Sequence, residues 1–255
     1  MDLPINHFKR ALKEGRPQIG LWSHLCSSIS TEILGQCGFD WIVLDMEHSP
    51  NELPHILSQL QALKDSPTMP IVRPPWNDMV TFKRLLDVGA QTLVVPYIQN
   101  AQEARQAVSY TRYPPHGVRG YAGAPRASGY GRIKDYAKRC SEEICLLLQI
   151  ETIEGLKHLE DIANVEGVDG VFIGPGDLSA VMGQLGNTKH PEVVAAVDDA
   201  FKRIRACGKA PGILIGDEAL AQHFIDVGGL FVAVGADQNL LRDSASALAA
   251  RFKKP

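Results

Sequence analysis

The segment ICLLLQIETIEGLKHLEDIANVEGVDGVFIG, residues 144–174, decides the fold class of this chain. It contains two short apolar runs, residues 144–150 and 168–174, separated by a segment with helical periodicity. Both runs are rich in Val, Ile and Leu. They lack the alternation of polar and apolar residues that is typical of a strand with one solvent-exposed face. They are therefore typical of strands that are buried on both faces of a parallel sheet.

Working outward from this segment, six further apolar runs of the same kind recur along the chain. They cover residues 18–22, 41–46, 70–73, 92–97, 212–215 and 230–234. Strand–helix alternation repeated about eight times predicts a single α/β domain, a (β/α)₈ TIM barrel over residues 1–255. An open, doubly wound sheet is the main structural alternative.

The segments between the runs carry recognisable helix start and stop signals. Asn77 is a candidate N-cap for a helix that Gly89 ends. Asn100 is a candidate N-cap with Glu103 in the reciprocal position, and Asp217 is another N-cap candidate. These signals support helices on the outside of the predicted barrel.

Composition excludes several classes of protein. The chain has 255 residues, 45% hydrophobic and 22% charged, with a formal net charge of −3. It has no basic excess for nucleic-acid binding and no apolar run long enough to cross a membrane. The five cysteines are odd in number and lack CxxC spacing, and the N-terminus does not resemble a signal peptide. We therefore expect a cytoplasmic protein with neither nucleic-acid nor membrane partners.

Residues 112–139 interrupt the strand–helix alternation. The first part of this segment lies within TRYPPHGVRGYAGAPRASGYGR, residues 111–132, which is loaded with Gly, Pro, Arg and Tyr. It follows the fourth predicted strand, so it starts from the carboxyl end of the barrel. Long loops inside compact domains are usually functional or disordered, and we leave its role open.

Polar side chains follow the predicted strands at their carboxyl ends, where barrel enzymes carry their working groups. Glu151 and Asp177 follow neighbouring strands, so both carboxylates could reach one ion. Two hard oxygen ligands suit a divalent cation such as Mg²⁺ or Mn²⁺. The alternative is a solvated Glu and a helix-capping Asp.

The second and third runs end in ionisable residues. Asp45 and His48 follow the second run, and a carboxylate there could orient the imidazole for acid–base work. The alternative is a structural histidine in a loop. Arg73 ends the third run, and a buried guanidinium needs either an anionic ligand or a structural ion pair with Asp45 or Glu47. Trp22, Ser23 and His24 follow the first run.

Two further sequence features bear on the chemistry. The residues Gly174-Pro175-Gly176-Asp177 lead into a short predicted helix, residues 178–182, whose free N–H groups could hold a carboxylate or phosphate. No lysine lies within the eight runs, which weighs against an imine mechanism. Neither Gly-x-Gly-x-x-Gly after the first strand nor a P-loop is present, so nucleotide binding by those motifs is unsupported.

Four segments together resemble a known enzyme family, that of the 4-hydroxy-2-oxoheptanedioate / 2-dehydro-3-deoxyglucarate aldolases. They are GFDWIVLDMEHSPN (38–51), VRPPWND (72–78), LLQIET (147–152) and VEGVDGVFIGPGDLSAVMG (165–183). The members are class II pyruvate aldolases. The resemblance implies a (β/α)₈ barrel whose last helix is swapped between subunits of a homo-hexamer, a trimer of dimers.

The resemblance also implies site roles. It implies a divalent metal, Mg²⁺, Mn²⁺ or Co²⁺, held by Glu151 and Asp177. Arg73 would stabilise the pyruvate enolate, and His48 paired with Asp45 would move protons. The remaining implied substrate contacts are the backbone of Gly176 and Asp177 for the pyruvate carboxylate, and Trp22, Arg126 and Leu214 on the aldehyde side. The insertion is about one residue shorter than in the bacterial heptanedioate aldolase, and Gly176 stands where alanine is common.

The predicted function is reversible aldol cleavage of a 4-hydroxy-2-oxo acid, such as the heptanedioate of aromatic catabolism, to pyruvate and an aldehyde. Three alternatives remain: a metal-dependent lyase of acyl-CoA esters, a non-catalytic barrel that binds an anionic metabolite, and a phosphate-binding isomerase. The sequence does not fix the aldehyde, the preferred metal or the stereochemistry at C4.

Overall fold

Eight parallel strands close into a barrel in the computed structural model, which describes residues 1–253. The strands are β1 (Gln18–Ser23), β2 (Trp41–Asp45), β3 (Met69–Arg73), β4 (Thr92–Val95), β5 (Cys145–Ile150), β6 (Gly170–Ile173), β7 (Ala210–Leu214) and β8 (Phe231–Ala236). Each coincides with one of the eight apolar runs, so the barrel prediction is confirmed. The last two residues of the predicted domain, 254 and 255, lie outside the described part.

Pairing between the first and last strands distinguishes the barrel from an open sheet. In β1 and β8, Ile19 lies opposite Val232. The open doubly wound alternative is therefore excluded. Because all strands run in one direction, their carboxyl ends form a single rim.

Helices surround the barrel. They are α1 (His7–Lys13), α2 (Ser28–Leu34), α3 (Leu53–Ala62), α4 (Met79–Val88), α5 (Ala101–Thr111), α6 (Tyr136–Glu143), α7 (Ile153–Lys157), α8 (Leu159–Ala163), α9 (Pro175–Val181), α10 (Pro191–Ala206), α11 (Glu218–Asp226) and α12 (Asp237–Phe252). Among residues 1–253, none of these helices combines the length and the apolar character that crossing a bilayer requires.

Side chains alternate between the inside and the outside of the barrel, as the period of a strand requires. In β2, Trp41 and Val43 point into the barrel, while Ile42 and Leu44 pack against the outer helices. The interior is filled by aromatic rings. Trp41 meets Phe231 at 6.1 Å, and Phe8 of α1 closes the amino end against both rings at 5.9 and 6.0 Å. The barrel is thus a packed core with a site at one rim, not a pore.

Most of the predicted helix caps are confirmed. Asn100 Oδ1 accepts from the N–H of Glu103 at 2.9 Å, and Asp217 Oδ1 accepts from the N–H of Leu220 at 3.0 Å. The cap at Asn77 was wrong by one residue. Asp78 caps α4 instead, because the Asn77 amide donates to the carbonyl of Glu103, 3.1 Å away.

The segment 112–139 is ordered against the barrel. It contains a turn of 3₁₀ helix, Arg126–Ser128, and the beginning of α6. Arg119 is its buried anchor: the guanidinium donates to Asp87 Oδ1 at 2.8 Å and lies 4.5 Å from the centre of the Tyr113 ring. A buried charge held by a carboxylate and an aromatic face fixes this segment to α4.

Helix α12 is unlike the other outer helices because it leaves its apolar side chains exposed. Asp237 is its buried residue. Leu241, Leu248 and Phe252 are 60%, 52% and 82% exposed. Their spacing places them on one face of the helix.

Gly212 lies where the barrel interior leaves no room for a side chain. A Cβ at this position would lie 2.2 Å from the ring of Phe231. We expect Gly212→Ala to lower the free energy of unfolding by about 1–3 kcal/mol, because overpacking forces the ring off its rotamer. The measurement is urea unfolding followed by circular dichroism at fixed protein concentration.

Gly216→Ala is the matched control, because a Cβ there meets nothing within 4 Å. It should change the unfolding free energy by less than about 1 kcal/mol. Equal stability of the two variants would contradict the packing account.

Candidate active site

The inward-facing positions at the carboxyl ends of the strands carry polar groups instead of core residues. Along β1 and its extension, Trp22 and His24 face inward, and along β2 and β3 Asp45 and Arg73 do the same. Strand register brings these groups together. Asp45 lies directly opposite Arg73 in the β2–β3 pair.

Asp45 is the centre of this group. Its carboxylate is fully buried and accepts two hydrogen bonds from the Arg73 guanidinium, Nε to Oδ1 at 2.8 Å and Nη2 to Oδ2 at 2.6 Å. The indole of Trp22 donates to Oδ2 at 3.2 Å, and the N–H of Glu47 donates to Oδ1 at 3.0 Å. Burial acts to raise the pKa of Asp45, but hydrogen bonds from His24 and Arg73 outweigh it and hold that pKa well below its usual range.

Arg73 supplies a fixed positive charge. Its Nη1 lies 2.8 Å from Glu47 Oε2, and its guanidinium carbon lies 4.9 Å from the centre of the Trp22 ring. Burial acts to lower the pKa of Arg73, but Asp45 and Glu47 raise it, so the group stays charged. The predicted alternative of an ion pair with Asp45 or Glu47 is thus realised with both carboxylates. Binding and pairing are compatible, because a guanidinium has five N–H donors.

The structure does not bring His48 to Asp45. The His48 side chain is 62% exposed, and its Nε2 lies 3.9 Å from Glu47 Oε2. The chain turns away because Ser49 Oγ and Asn51 Nδ2 both donate to the backbone carbonyl of Asp45. The predicted Asp45–His48 pair is therefore corrected: in this structure the histidine at Asp45 is another one.

That histidine is His24, for which the sequence pattern predicted no role. Its Nε2 lies 3.1 Å from Asp45 Oδ2, and its side chain is 14% exposed. A signal was present in the sequence, because His24 stands two residues after the inward-facing Trp22. Alternation along a strand sends residues i and i+2 to the same face.

The carboxylates Glu47, Glu151 and Asp177 form an acidic region beside Arg73. Burial raises the pKa of Glu151 to about 7, and the charges of Glu47 and Asp177 act in the same direction. Burial also raises the pKa of Glu47, against the opposing charge of Arg73. Carboxylates that raise one another's pKa in this way favour a cation among them, because a cation relieves their mutual repulsion.

Local structure makes room for Glu151. A Cβ at Gly174 would lie 2.4 Å from Glu151 Oε2, so a side chain there would displace the carboxylate. The N–H of Tyr97 donates to Oε1 at 2.9 Å, and Gln149 Nε2 donates to Oε2. The other amide atom, Gln149 Oε1, is buried and finds no hydrogen-bond partner among residues 1–253.

These residues fit a divalent cation of the hard, oxygen-binding kind. Within residues 1–253 there is no group of three or more His, Cys, Asp or Glu side chains arranged to bind a metal. Mg²⁺ is nevertheless usually held by one or two carboxylates, with water and substrate in the other positions. Glu151 and Asp177 provide two such carboxylates.

Helix α9 begins earlier than the sequence predicted. The predicted helix, residues 178–182, is Pro175–Val181 in the structure. Gly176 and Asp177 therefore belong to its first turn, where backbone N–H groups lack partners within the helix.

The three residues expected on the aldehyde side lie in three different environments. Trp22 is 1% exposed and forms the floor beneath Arg73. Leu214 ends β7 and packs against the interior cluster. Arg126 does not reach the site of its own chain. Its Nη1 donates to the carbonyl of Val88 at 2.6 Å, at the carboxyl end of α4 and hence at the opposite end of the barrel.

Asp237, the first residue of α12, also belongs to this rim. Its carboxylate accepts from the hydroxyl of Ser23 at 2.8 Å, from the N–H of His24 at 2.9 Å and from the N–H of Leu25 at 3.2 Å. It thereby fixes the loop that carries His24. Asp237 could not be assigned to the site from the sequence, because its partners are more than 200 residues away.

The fold places a buried arginine, a histidine and several carboxylates at the carboxyl rim of the barrel, where barrel enzymes carry their working groups. The model of the HpcH/HpaI aldolase/citrate lyase family matches residues 18–244, and the chain belongs to this family. The chain is accordingly a carbon–carbon lyase of the aldolase kind, as the sequence predicted.

Individual relatives agree with this assignment. The chain is 59% identical over 248 residues to the 4-hydroxy-2-oxo-heptane-1,7-dioate aldolase of Klebsiella pneumoniae, covering 97% of this chain and 94% of that one. It is 58% identical to the enzyme of the same name from Escherichia coli, with 97% and 95% covered.

Solved structures agree as well. A crystal structure of an HpcH/HpaI aldolase/citrate lyase family protein from Burkholderia cenocepacia superposes with a TM-score of 0.93 at 37% identity. The superposition covers 97% of this chain and all of that one, 100%.

We expect Asp45→Asn to destabilise the protein by about 3 kcal/mol at pH 7, because it leaves the buried Arg73 charge without its bidentate partner. The difference from wild type should stay constant from about pH 8 to 5, where Asp45 is ionised both folded and unfolded. It should shrink only below about pH 4, where the unfolded-state carboxyl takes up protons and the contribution of a lowered folded-state pKa is lost. Urea unfolding across this pH range provides the measurement.

Asp65→Asn is the control, because this carboxylate is exposed. Its unfolding free energy should stay within about 0.5 kcal/mol of wild type. If Asp45→Asn is as stable as the control at pH 7, the claim that Asp45 stabilises the buried charge of Arg73 is wrong.

Proposed function

We propose that this protein is a divalent-metal-dependent aldolase that reversibly cleaves a 4-hydroxy-2-oxo acid to pyruvate and an aldehyde, with 4-hydroxy-2-oxoheptanedioate as the first substrate to test. The observation that carries the proposal is the buried Arg73 guanidinium, which lies 2.8 Å from Glu47 and beside the acidic pair Glu151 and Asp177. The names of the relatives at 58–59% identity support the same substrate.

The reaction requires stabilisation of an enolate. When the C3–C4 bond breaks, its electron pair passes into the C2 carbonyl and leaves negative charge on the C2 oxygen. Arg73 is charged at every working pH and is held rigidly by Asp45, so it stabilises this charge without reorganising. Glu151 and Asp177 would hold a divalent cation, which would supply Lewis-acid stabilisation of developing negative charge.

Other groups of the chain have positioning and proton-transfer roles. The free N–H groups of Gly176 and Asp177 at the start of α9 hold the pyruvate carboxylate. His48, at the exposed edge of the site, is the base that takes the proton of the C4 hydroxyl and exchanges it with solvent. Trp22 excludes water from beneath Arg73.

The test is a coupled assay for pyruvate with the heptanedioate substrate and added Mg²⁺, Mn²⁺ or Co²⁺. Wild type should release pyruvate only with metal present. We expect Glu151→Ala and Asp177→Ala to lose at least about 100-fold in rate, because each removes a metal ligand. Arg73→Ala should lose metal-dependent proton exchange at pyruvate C3, which reports enolate formation directly.

Glu142→Gln, which changes an exposed carboxylate of α6, is the control and should keep full activity. Full activity of either ligand variant in metal-stripped buffer would refute the metal assignment. Retained C3 exchange in Arg73→Ala would refute the role of Arg73.

We propose in addition that the protein assembles as a homo-hexamer, a trimer of dimers, in which α12 packs on a partner subunit. The apolar face of α12, with Leu241, Leu248 and Phe252, is exposed in the single chain. On α2, Ile29 and Ile33 are also exposed, 70% and 62%. Exposed apolar groups on one helix face mark protein interfaces.

A cytoplasmic location is also part of the proposal. The five cysteines, all within residues 1–253, are free thiols in the structure. Free thiols are typical of reducing compartments.

Charges on the apolar face of α12 should dissociate the assembly. We expect the double variant Leu241→Glu/Leu248→Glu to sediment as a smaller species than wild type, because like charges would be buried at each contact. The control is Ser246→Glu, on the other side of the same helix, which should keep the wild-type mass. Sedimentation velocity measures the masses of wild type, the double variant and the control. An unchanged mass for the double variant would contradict the packing of α12 on a partner subunit.

A further inference from the structure

A cavity lies at the amino end of the barrel, opposite the rim that carries the active site. Its volume is 420 Å³, within the range of about 300–1,000 Å³ that is typical of small-molecule sites. The lining comes from the end of α1, from the end of α10 and from residues at the amino ends of β6, β7 and β8. The cavity therefore shares no residue with the active site.

Positive charge exceeds negative charge in this cavity. Its charged lining consists of four cations and two carboxylates, namely Lys9, Lys13, Arg205, Lys209, Glu14 and Asp169. Both carboxylates already have a cation beside them, because Lys9 Nζ lies 3.6 Å from Asp169 Oδ1 and Arg16 Nε lies 2.7 Å from Glu14 Oε2. Within residues 1–253 the other three cations of the lining have no carboxylate partner.

The helix ends beside the cavity do not account for its free cations. A basic side chain in the last turn of a helix often satisfies the final carbonyl groups. Here backbone N–H groups do so, from Gly15 to the carbonyl of Leu12 at 3.0 Å and from Gly208 to the carbonyl of Arg205 at 2.9 Å. Both glycines have a φ of 71°, the left-handed conformation of such caps. The side chains of Lys13 and Arg205 therefore remain available to a ligand.

The other two cations are fixed in place by backbone carbonyls. Lys9 is 9% exposed, and its Nζ donates to the carbonyl of Ile144 at 2.5 Å. Lys209 Nζ donates to the carbonyl of Val168 at 2.7 Å. An ammonium group has three N–H donors, so each lysine keeps at least one donor beyond these contacts. Because both side chains are already ordered, a ligand that binds them loses less entropy.

We propose that this cavity binds a small dicarboxylate, at a site that is separate from the active site and independent of the proposed function. The cations form two pairs, Lys9 and Lys13 on α1, and Arg205 and Lys209 at and just after the end of α10. Two pairs on two elements suit a ligand with an anionic group at each end. The guanidinium of Arg205 has the fork of N–H groups that matches a carboxylate.

The lining also argues against a nucleotide. Bases are usually held by stacking on aromatic rings. Within residues 1–253 the lining of this cavity contains no aromatic side chain, and its apolar part is formed by Leu12, Ala210 and Leu230. Short aliphatic groups of this kind suit the methylene chain of a dicarboxylate.

The bound anion would connect two elements that the chain joins only through most of its length. Helix α1 closes the amino end of the barrel through Phe8, and α10 packs on the outside of β6 and β7. A ligand that binds the folded protein at both elements raises its free energy of unfolding.

The test is isothermal titration calorimetry of the full chain with glutarate, a five-carbon dicarboxylate, in a buffer of low ionic strength. We expect wild type to bind it with a Kd below about 1 mM. The double variant Lys13→Gln/Arg205→Gln should bind at least about 10-fold more weakly, because it removes a charged donor from each pair. Both side chains are exposed, so the variant should fold as wild type does.

The matched control is Lys202→Gln/Arg139→Gln. It makes the same change in net charge at exposed positions of α10 and α6 outside the cavity, and it should keep the wild-type affinity. Acetate, with a single carboxylate, should bind wild type at least about 10-fold more weakly than glutarate, because it cannot contact both pairs at once.

Four outcomes would overturn the inference. Wild type might show no binding of glutarate, or the control might lose as much affinity as Lys13→Gln/Arg205→Gln, which would leave net charge as the only cause. Acetate or inorganic phosphate that binds as tightly as glutarate would refute recognition of two anionic ends. Loss of binding in Arg73→Ala, with affinity kept in Lys13→Gln/Arg205→Gln, would place the dicarboxylate at the active site. Calorimetry measures binding and not turnover, so a failure of the proposed aldolase activity is distinguishable from each of these.

Discussion

The rest of the site depends on one buried anion, the carboxylate of Asp45. It joins three adjacent strands, because it lies on β2 and accepts from Trp22 and His24 at the end of β1 and from Arg73 on β3. An ionised carboxylate is costly to bury unless each of its oxygens is bonded, and here both are. In return the Asp45 carboxylate holds the Arg73 guanidinium and the His24 imidazole in fixed orientations at the rim of the barrel.

The barrel itself could be predicted because its signal is repeated. Each strand is buried on both faces and is therefore an uninterrupted apolar run, and eight such runs separated by helices leave few topologies. The strand ends could be predicted for the same reason: a polar residue directly after an apolar run, such as Arg73 or Glu151, must lie at the rim. The family resemblance then supplied roles that spacing alone left open.

The histidine that contacts Asp45 could not be predicted from the sequence, because the contact depends on the direction of side chains on neighbouring strands. His48 is nearer to Asp45 in sequence, but the turn made by Ser49 and Asn51 points it outward. His24 is on another strand, and only the register between β1 and β2 brings it to the carboxylate. Arg126 does not reach the rim of its own chain for a related reason, since packing against α4 sets the position of the inserted segment.

The carboxylate of Asp237 connects the carboxyl-terminal helix α12 to the rim loop that carries His24, more than 200 residues away in sequence. The same side chain that begins α12 holds the backbone of His24. Displacement of the helix therefore releases the loop, and a ligand that orders the loop strengthens the seating of the helix. Such linkage is reciprocal, so if α12 docks on a partner subunit as proposed, that docking and occupancy of the rim would form a single thermodynamic cycle. Selection for a tight assembly and selection for an ordered site would then act on the same residue.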